Sequence, residues 1–347
     1  MHGDCRTAHA TCRGHQMPQS EYERKIQQEL ETYQDRTTVH DLPAIFHYWF
    51  NRHVGPLCQQ AGILGVEDYF ASHLLQSASH TGSARPRFLS VGSGNCDTEV
   101  AVAGLLRQRG CRDFTIECLE LNPAMLQRGR QMAADQQVEP HLRFTEADFN
   151  TWTAATFYDG VMANQSLHHV TALEHLFEEL KWAMHAGARF VISDVIGRNG
   201  HQRWPESLAI VQRFWRELPA GHRYNLLLQR HEETYDNWDC SAEGFEGVRA
   251  QDILPLLLRE FNYETFVAFG SAIDVFVDRA FGHHFDPASP ADRDFIDRVH
   301  RADEDGFASR TLTPTHMFGV FTREPVASPH VARGLTPEAS VRPPEPQ

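Results

Sequence analysis

Phe88-Leu89-Ser90-Val91-Gly92-Ser93-Gly94-Asn95-Cys96-Asp97 decides how this chain folds. A short apolar run enters a Gly-x-Gly turn. Beyond it, Thr98-Glu99-Val100-Ala101-Val102-Ala103-Gly104-Leu105-Leu106 reads as a helix. Strand, glycine turn and helix make the opening unit of a doubly wound α/β sheet, and ligands bind at such a turn. The two glycines let the backbone approach a ligand closely, and free N–H groups at the helix start face it.

Outward from this unit the pattern alternates. A strand at 114–119 closes on Glu120, and Asn122 with Pro123 starts a helix as N-cap and first helical residue. A strand at 141–147 ends at Asp148-Phe149, and one at 158–163 ends at Asn164-Gln165-Ser166. An amphipathic helix at 171–185 leads to a strand at 189–193 that ends at Asp194. Such alternation predicts a parallel sheet with right-handed crossovers. The second half departs from it. Helices are expected at 203–230, 251–261, 273–281 and 290–304, with strands at 264–269 and 316–322.

Composition narrows the function. The 347 residues carry a formal net charge of −14, which argues against a phosphate-tracking nucleic-acid binder or an anionic membrane surface. Seven cysteines without a C-x-x-C pair fit reduced thiols in a cytoplasmic protein, and no spacing resembles a zinc site. No apolar stretch is long enough to span a bilayer, and the N-terminus lacks an apolar signal core.

Three readings compete for the turn: a dinucleotide site, an S-adenosylmethionine (SAM) site for methyl transfer, and a SAM site used for sensing or for chemistry other than methyl transfer. A dinucleotide site wants G-x-G-x-x-G, but the third position is Asp97, an acid that a pyrophosphate would face unfavourably. A phosphate-binding P-loop is excluded because no Gly-Lys-Ser/Thr follows. SAM has no phosphates, and its ammonium and sulfonium favour acidic neighbours. Its ribose diol suits a carboxylate at the end of the second strand, where Glu120 stands. Asp148-Phe149 offers a polar group and an apolar face to the adenine, and Asn164-Gln165-Ser166 lies beside the methionine part.

With these residues the chain resembles the class I SAM-dependent methyltransferases, over roughly residues 88–194. The resemblance implies a doubly wound, seven-stranded, mostly parallel α/β sheet with its last strand antiparallel. It implies that Gly92, Ser93, Gly94, Cys96, Glu120, Leu121, Asp148, Phe149, Asn164 and Gln165 hold the cofactor, SAM. The stretch Ser166-Leu167-His168-His169 looks like the post-strand motif of small-molecule methyltransferases. Two departures stand out: Ser90 replaces the family's acid two residues before the first glycine, and Cys96 replaces its third glycine.

The sulfonium is already activated, so methyl transfer needs mainly positioning and a deprotonated acceptor. A hydroxyl acceptor benefits from a base near neutral pH, which makes His168 and His169 the candidates for catalysis. Asp194 could assist through a metal, but no ligand cluster is visible and no metal is expected. The expected activity is methyl transfer to a hydroxyl or amine of a small organic molecule. A SAM-binding protein without transfer and a nucleic-acid methyltransferase are the alternatives. Tyr48, Arg52, Trp204 and Trp238 are expected to line the acceptor pocket. The expected organisation is a disordered leader (1–20), a helical lid (21–85), the catalytic domain (86–323) with a helical insertion near 197–250, and a disordered tail (324–347). The partner is a small molecule, with neither nucleic acid nor membrane, and the chain a monomer or homodimer.

Overall fold

The computed structural model describes residues 19–34, 42–242 and 244–343. Four helices come first: α1 (Gln19–Tyr33), α2 (Ala44–Trp49), α3 (Gly55–Gln60) and α4 (Val66–Thr81). The alternating part follows as β1 (Arg87–Val91), α5 (Asp97–Gln108), β2 (Thr115–Glu120), α6 (Pro123–Asp135), β3 (Leu142–Glu146), β4 (Tyr158–Asn164), α7 (Leu173–Ala183) and β5 (Met184–Val195). Then come α8 (Pro205–Trp215), a small hairpin of β6 (Tyr224–Asn225) and β7 (Arg230–His231), and α9 (Ala250–Glu260). The chain closes with β8 (Asn262–Phe269), α10 (Asp274–Val277), α11 (Pro290–Ala308), β9 (His316–Thr322), β10 (His330–Val331) and α12 (Pro337–Ser340).

The central sheet runs β3-β2-β1-β4-β5-β9-β8-β10, with β9 antiparallel to both neighbours and the other pairs parallel. Alternation along each strand builds two apolar layers. Phe88, Met162, Val191 and Val320 join one core with residues of α4, α5, α6 and α11. Leu89, Val91, Val161 and Ile192 join the other, under α7 and α9.

Strand register sets the site. Val91 stands level with Leu119 and Ala163, Glu120 with Glu146, and Asn164 with Ser193. Gly92, Glu120, Asn164 and Asp194 therefore leave the sheet along one carboxyl-end edge, the edge where such sheets bind ligands.

Several expectations change. The sheet has eight strands rather than seven, and the eighth comes from the tail expected to be disordered. That tail is poor in apolar residues, yet polar anchors hold it. Arg333 bridges Glu304 at 2.7 Å and donates to the Ala268 carbonyl, Leu335 is buried, and Thr336 caps α12 ahead of Pro337. The long helix expected over 203–230 stops at Trp215, and Pro219 and Gly221 lie in the turns leading to the hairpin. The region expected as one lid divides. The Tyr69 hydroxyl of α4 donates to the carbonyls of Ile192 and Gly319, which makes α4 a layer of the core. The segment from α2 through α3 packs its aromatic residues inward, with Trp49 buried against Phe269. Among the described residues of this region, α1 is the one that lies across the ligand edge. The expected leader falls outside the described residues except for Gln19 and Ser20, which open α1.

Candidate active site

The glycine turn is locked from two sides. Gly92 has φ +68°, and a Cβ there would lie 2.5 Å from the Ser166 Cβ. Ser166 in turn donates to the Val91 carbonyl at 2.6 Å, so the turns after β1 and β4 are clamped together. Gly92→Ala is expected to lose about 2 kcal/mol, the scale of a non-glycine residue held in the left-handed region, measured as a lower urea midpoint. A change under about 0.5 kcal/mol would mean the turn is not constrained as described.

Cys96, the replacement for the third glycine, does have the left-handed backbone that favours glycine, at φ +61°. Its side chain finds room because α6 carries Gly129 opposite, where a Cβ would lie 2.8 Å from the Cys96 Sγ. The glycine has moved to the partner helix.

A carboxylate from α5 lies beside Ser90. Glu99, on the first turn of α5, reaches back so that the Ser90 hydroxyl donates to its Oε1 at 2.6 Å. Both residues are buried, and the Glu99 Oε2 has no hydrogen-bond partner. Burial pushes its carboxyl up to about 7. Asp97, by contrast, lines a groove along α5 with Ala101, Gly104 and Arg107.

Glu120 ends β2 with both oxygens in use, accepting from the N–H of Gly94 at 2.9 Å and of Asn122 at 2.8 Å. Burial raises its carboxyl above the usual range, against the lowering effect of these N–H donors. Leu121 beside it is half-buried and Ser93 donates its N–H to the Leu119 carbonyl. Asp148 stands past β3 with Phe149 buried behind it, and Asn164 donates to Thr98 at 3.0 Å. Gln165 adopts φ +53° and pairs its N–H with the Ser193 carbonyl.

Helix α1 covers this edge. The Tyr22 hydroxyl donates to Asp148 at 2.6 Å, and Asn122 donates to the Leu30 carbonyl. Arg128 of α6 holds the Tyr33 and Gln34 carbonyls. Buried Lys25 donates to the carbonyls of Ser241 and Gly244, tying α1 to the acidic loop before α9.

Next to the cofactor edge, Asp194 organises the turn after β4. Its carboxylate is fully buried and accepts from the N–H groups of Ser166, Leu167 and Val195. Its Oδ1 lies 2.6 Å from the His168 Nδ1. The His168 Nε2 points the other way, 3.3 Å from Glu246, whose Oε1 is also 2.6 Å from the His201 Nε2. His169 lies between Glu29 of α1, at 3.2 Å, and Glu246, at 3.4 Å. Burial alone would lower the His168 imidazole, but Asp194 and Glu246 outweigh it and push it up to about 10. The histidines conversely hold Glu246 well below the carboxylate range, against the desolvation of its half-buried carboxylate.

The four residues expected at an acceptor pocket are scattered. Tyr48 and Arg52 turn to Asp297 of α11, at 3.1 and 3.2 Å, so their polar ends are already engaged. Trp204 lies between the guanidinium groups of Arg198 and Arg342. Trp238 keeps a ring 39 % exposed, and Asn237 beside it bonds the Gln202–Arg203 segment that follows His201. The sequence reading missed Glu99, His201 and the partnering of His168 by Asp194. Folding brings His168, His201 and Glu246 together, with one ligand-type atom of each within 4.8 Å of the others.

Residues 84–242 match the family model described as a methyltransferase domain. No curated protein sequence matches the chain. Among solved structures, the chain is similar to the geranyl diphosphate C-methyltransferase of Streptomyces coelicolor A3(2), at 14 % identity over 86 % of this chain and 98 % of that one, with a TM-score of 0.47. It is similar too to an O-methyltransferase of a Brevibacillus brevis trans-AT polyketide synthase, at 12 % identity over 83 % and 82 %, with a TM-score of 0.43. The match spans the glycine turn, Glu120, Asp148 and the His168 turn, so residues 84–242 carry a methyltransferase domain and the chain is a SAM-dependent methyltransferase.

Proposed function

We propose that the chain moves the methyl group of SAM to a hydroxyl of a small organic acceptor held beside His168 and His169. What carries this reading is the register of the sheet. It brings the Gly92–Gly94 turn, Glu120, Asp148-Phe149 and Asn164-Gln165 to one edge, with the His168–Asp194 pair next along it.

The residues fit SAM. Glu120 is a buried carboxylate at the end of β2, suited to a ribose diol. Its present N–H partners sit on either side of it and hold it in place. Asp148 and Phe149 offer the adenine a polar group and an apolar wall, and Tyr22 closes α1 over that polar group. The orphaned Oε2 of Glu99 is an anion-forming oxygen without a donor, which suits an ammonium-bearing ligand. Held by these residues, the cofactor would supply a methyl group activated on a positively charged sulfur for in-line displacement by an acceptor oxygen beside His168 and His169.

The chain's own contribution is placement and exclusion of water. Asp194 holds His168 in one orientation, and His169, His201 and Glu246 complete a polar wall facing away from the apolar cores. Trp238, exposed on the adjoining loop, is the aromatic surface available to an organic acceptor. Helix α1 must lift or shift for ligands to pass, because Tyr22 and Glu29 touch both halves of the site.

Glu120→Ala is expected to weaken SAM binding by roughly tenfold to a hundredfold, the worth of hydrogen bonds to a charged group. Titration calorimetry of the folded variant checks this. Unchanged affinity would remove Glu120 from the ribose and with it the cofactor assignment. Mass spectrometry of hydroxyl-bearing and amine-bearing acceptor panels then identifies the atom methylated.

A further inference from the structure

We propose that His168, His201 and Glu246 form a binding site for one divalent transition-metal cation at the acceptor end of the cleft. The His168 Nε2, the His201 Nε2 and a Glu246 carboxylate oxygen all lie within 4.8 Å of one another. They come from three separate segments: the turn after β4, the turn after β5, and the loop before α9. Two imidazoles and one carboxylate are a donor set that suits first-row cations such as Zn²⁺, Mn²⁺ or Co²⁺, and three protein ligands leave positions open.

The surroundings are built for it. A ligating histidine normally gives its second nitrogen to a carboxylate, which fixes the ring and directs the other nitrogen at the metal. The Nδ1 of His168 is engaged in this way by Asp194 at 2.6 Å, and Asp194 is held by three backbone N–H groups. His201 and Glu246 meet because the chain beside each is glycine. Gly200 donates to the Gly247 carbonyl at 2.8 Å. A Cβ on Gly247 would lie 3.1 Å from the N atoms of Gly200 and His201, and a Cβ on Gly200 would collide with Asp239. His201 itself adopts φ +54°, a left-handed backbone that a histidine seldom takes, and the close approach of the two loops maintains it. The second oxygen of Glu246 is steadied by His169 at 3.4 Å.

The chemistry follows from the open positions. An acceptor hydroxyl placed on the cation would lose its proton more readily, as metal-bound water does. This role rests on the proposed methyl transfer, whereas occupancy of the site does not.

The test uses untagged full-length protein, stripped with chelator and then titrated separately with ZnCl₂, MnCl₂ and CoCl₂. Calorimetry should show one site per chain for at least one of the three. The Co²⁺ form should show visible absorption of low-symmetry nitrogen and oxygen ligation. Glu246→Gln and His201→Ala should each weaken that site at least tenfold, and His283→Ala, at an exposed position, should leave it unchanged. Circular dichroism and SAM titration of the same samples report folding and the cofactor site. Wild type that is folded and binds SAM, yet binds no cation more tightly than Glu246→Gln, would overturn the metal site alone. Metal binding that is equal in all variants would overturn it as well. Loss of SAM binding in the folded wild type would instead overturn the methyltransferase reading and leave the cation titration to be judged separately.

Discussion

Asp194→Ala is expected to lower the unfolding free energy by about 3–5 kcal/mol, the cost of removing one partner from a buried ionic pair. The residue has no exposed surface, and its carboxylate accepts from three backbone N–H groups as well as from His168. The paired imidazole is the main reason, after opposing burial, that Asp194 stays below the usual carboxylate range. Truncation leaves three buried donors unpaired and His168 without its counter-charge. Asp194→Asn is expected to lose less, because one acceptor oxygen remains while the new NH₂ faces donors. Urea unfolding followed by circular dichroism reads both, with the slope unchanged if the unfolded states are alike. An alanine variant within about 1 kcal/mol of wild type would show that the turn after β4 is held by Ser166 and the backbone alone. Gly92 and Ser166 make the other half of that clamp, so the Asp194 and Gly92 substitutions touch one structure and should not add.

The sheet was legible because its signals are local. A Gly-x-Gly turn between an apolar run and a helix, and an acid after the next strand, are contiguous in sequence, and they place the carboxyl-end edge without any knowledge of packing. The departures at Ser90 and Cys96 were legible as gaps but not as solutions. Each meets a residue on another element: Glu99 reaches Ser90 from α5, and Gly129 makes room for Cys96 on α6. Nothing in spacing links position 90 to 99 or 96 to 129 until the helices pack. The His168 end of the cleft was the least legible part. His168 could be named from its motif, but His201 and Glu246 come from two loops that only the glycines at 200 and 247 allow to meet. The aromatic residues Tyr48 and Trp204 drew attention by composition, and packing used them against Asp297 and two arginines instead. The tail misled for the opposite reason: its order comes from arginine ion pairs and a capped turn, which apolar content does not report.

Glu99 should make the stability of the protein fall as pH rises through the weakly acidic range. Burial lifts its carboxyl to about 7, from an ordinary value of 4.5 in the unfolded chain. A carboxyl whose folded value is raised binds its proton more tightly in the native state, so its contribution is fully present below 4.5. That contribution is lost progressively up to about 7 and is constant above it. Over two and a half units the loss amounts to about 3 kcal/mol. Glu99→Gln imitates the protonated acid, keeps the partner for Ser90 and removes the titration. The variant should match wild type near pH 4 and be more stable by about 3 kcal/mol at pH 8, with the difference growing between. Equal stability at both pH values would show that the carboxyl ionises freely and that its Oε2 is not deprived of partners. The same group ties stability to the proposed cofactor. A ligand ammonium against the Oε2 favours the anion, so SAM binding near pH 6 should expel a proton in wild type. Calorimetry in buffers of different ionisation enthalpy measures that proton, and Glu99→Gln should remove it. Proton release of the same size in both proteins would assign it to another carboxyl, Glu120 being the nearest with a raised value. It would also leave the ammonium to be held by some group other than Glu99.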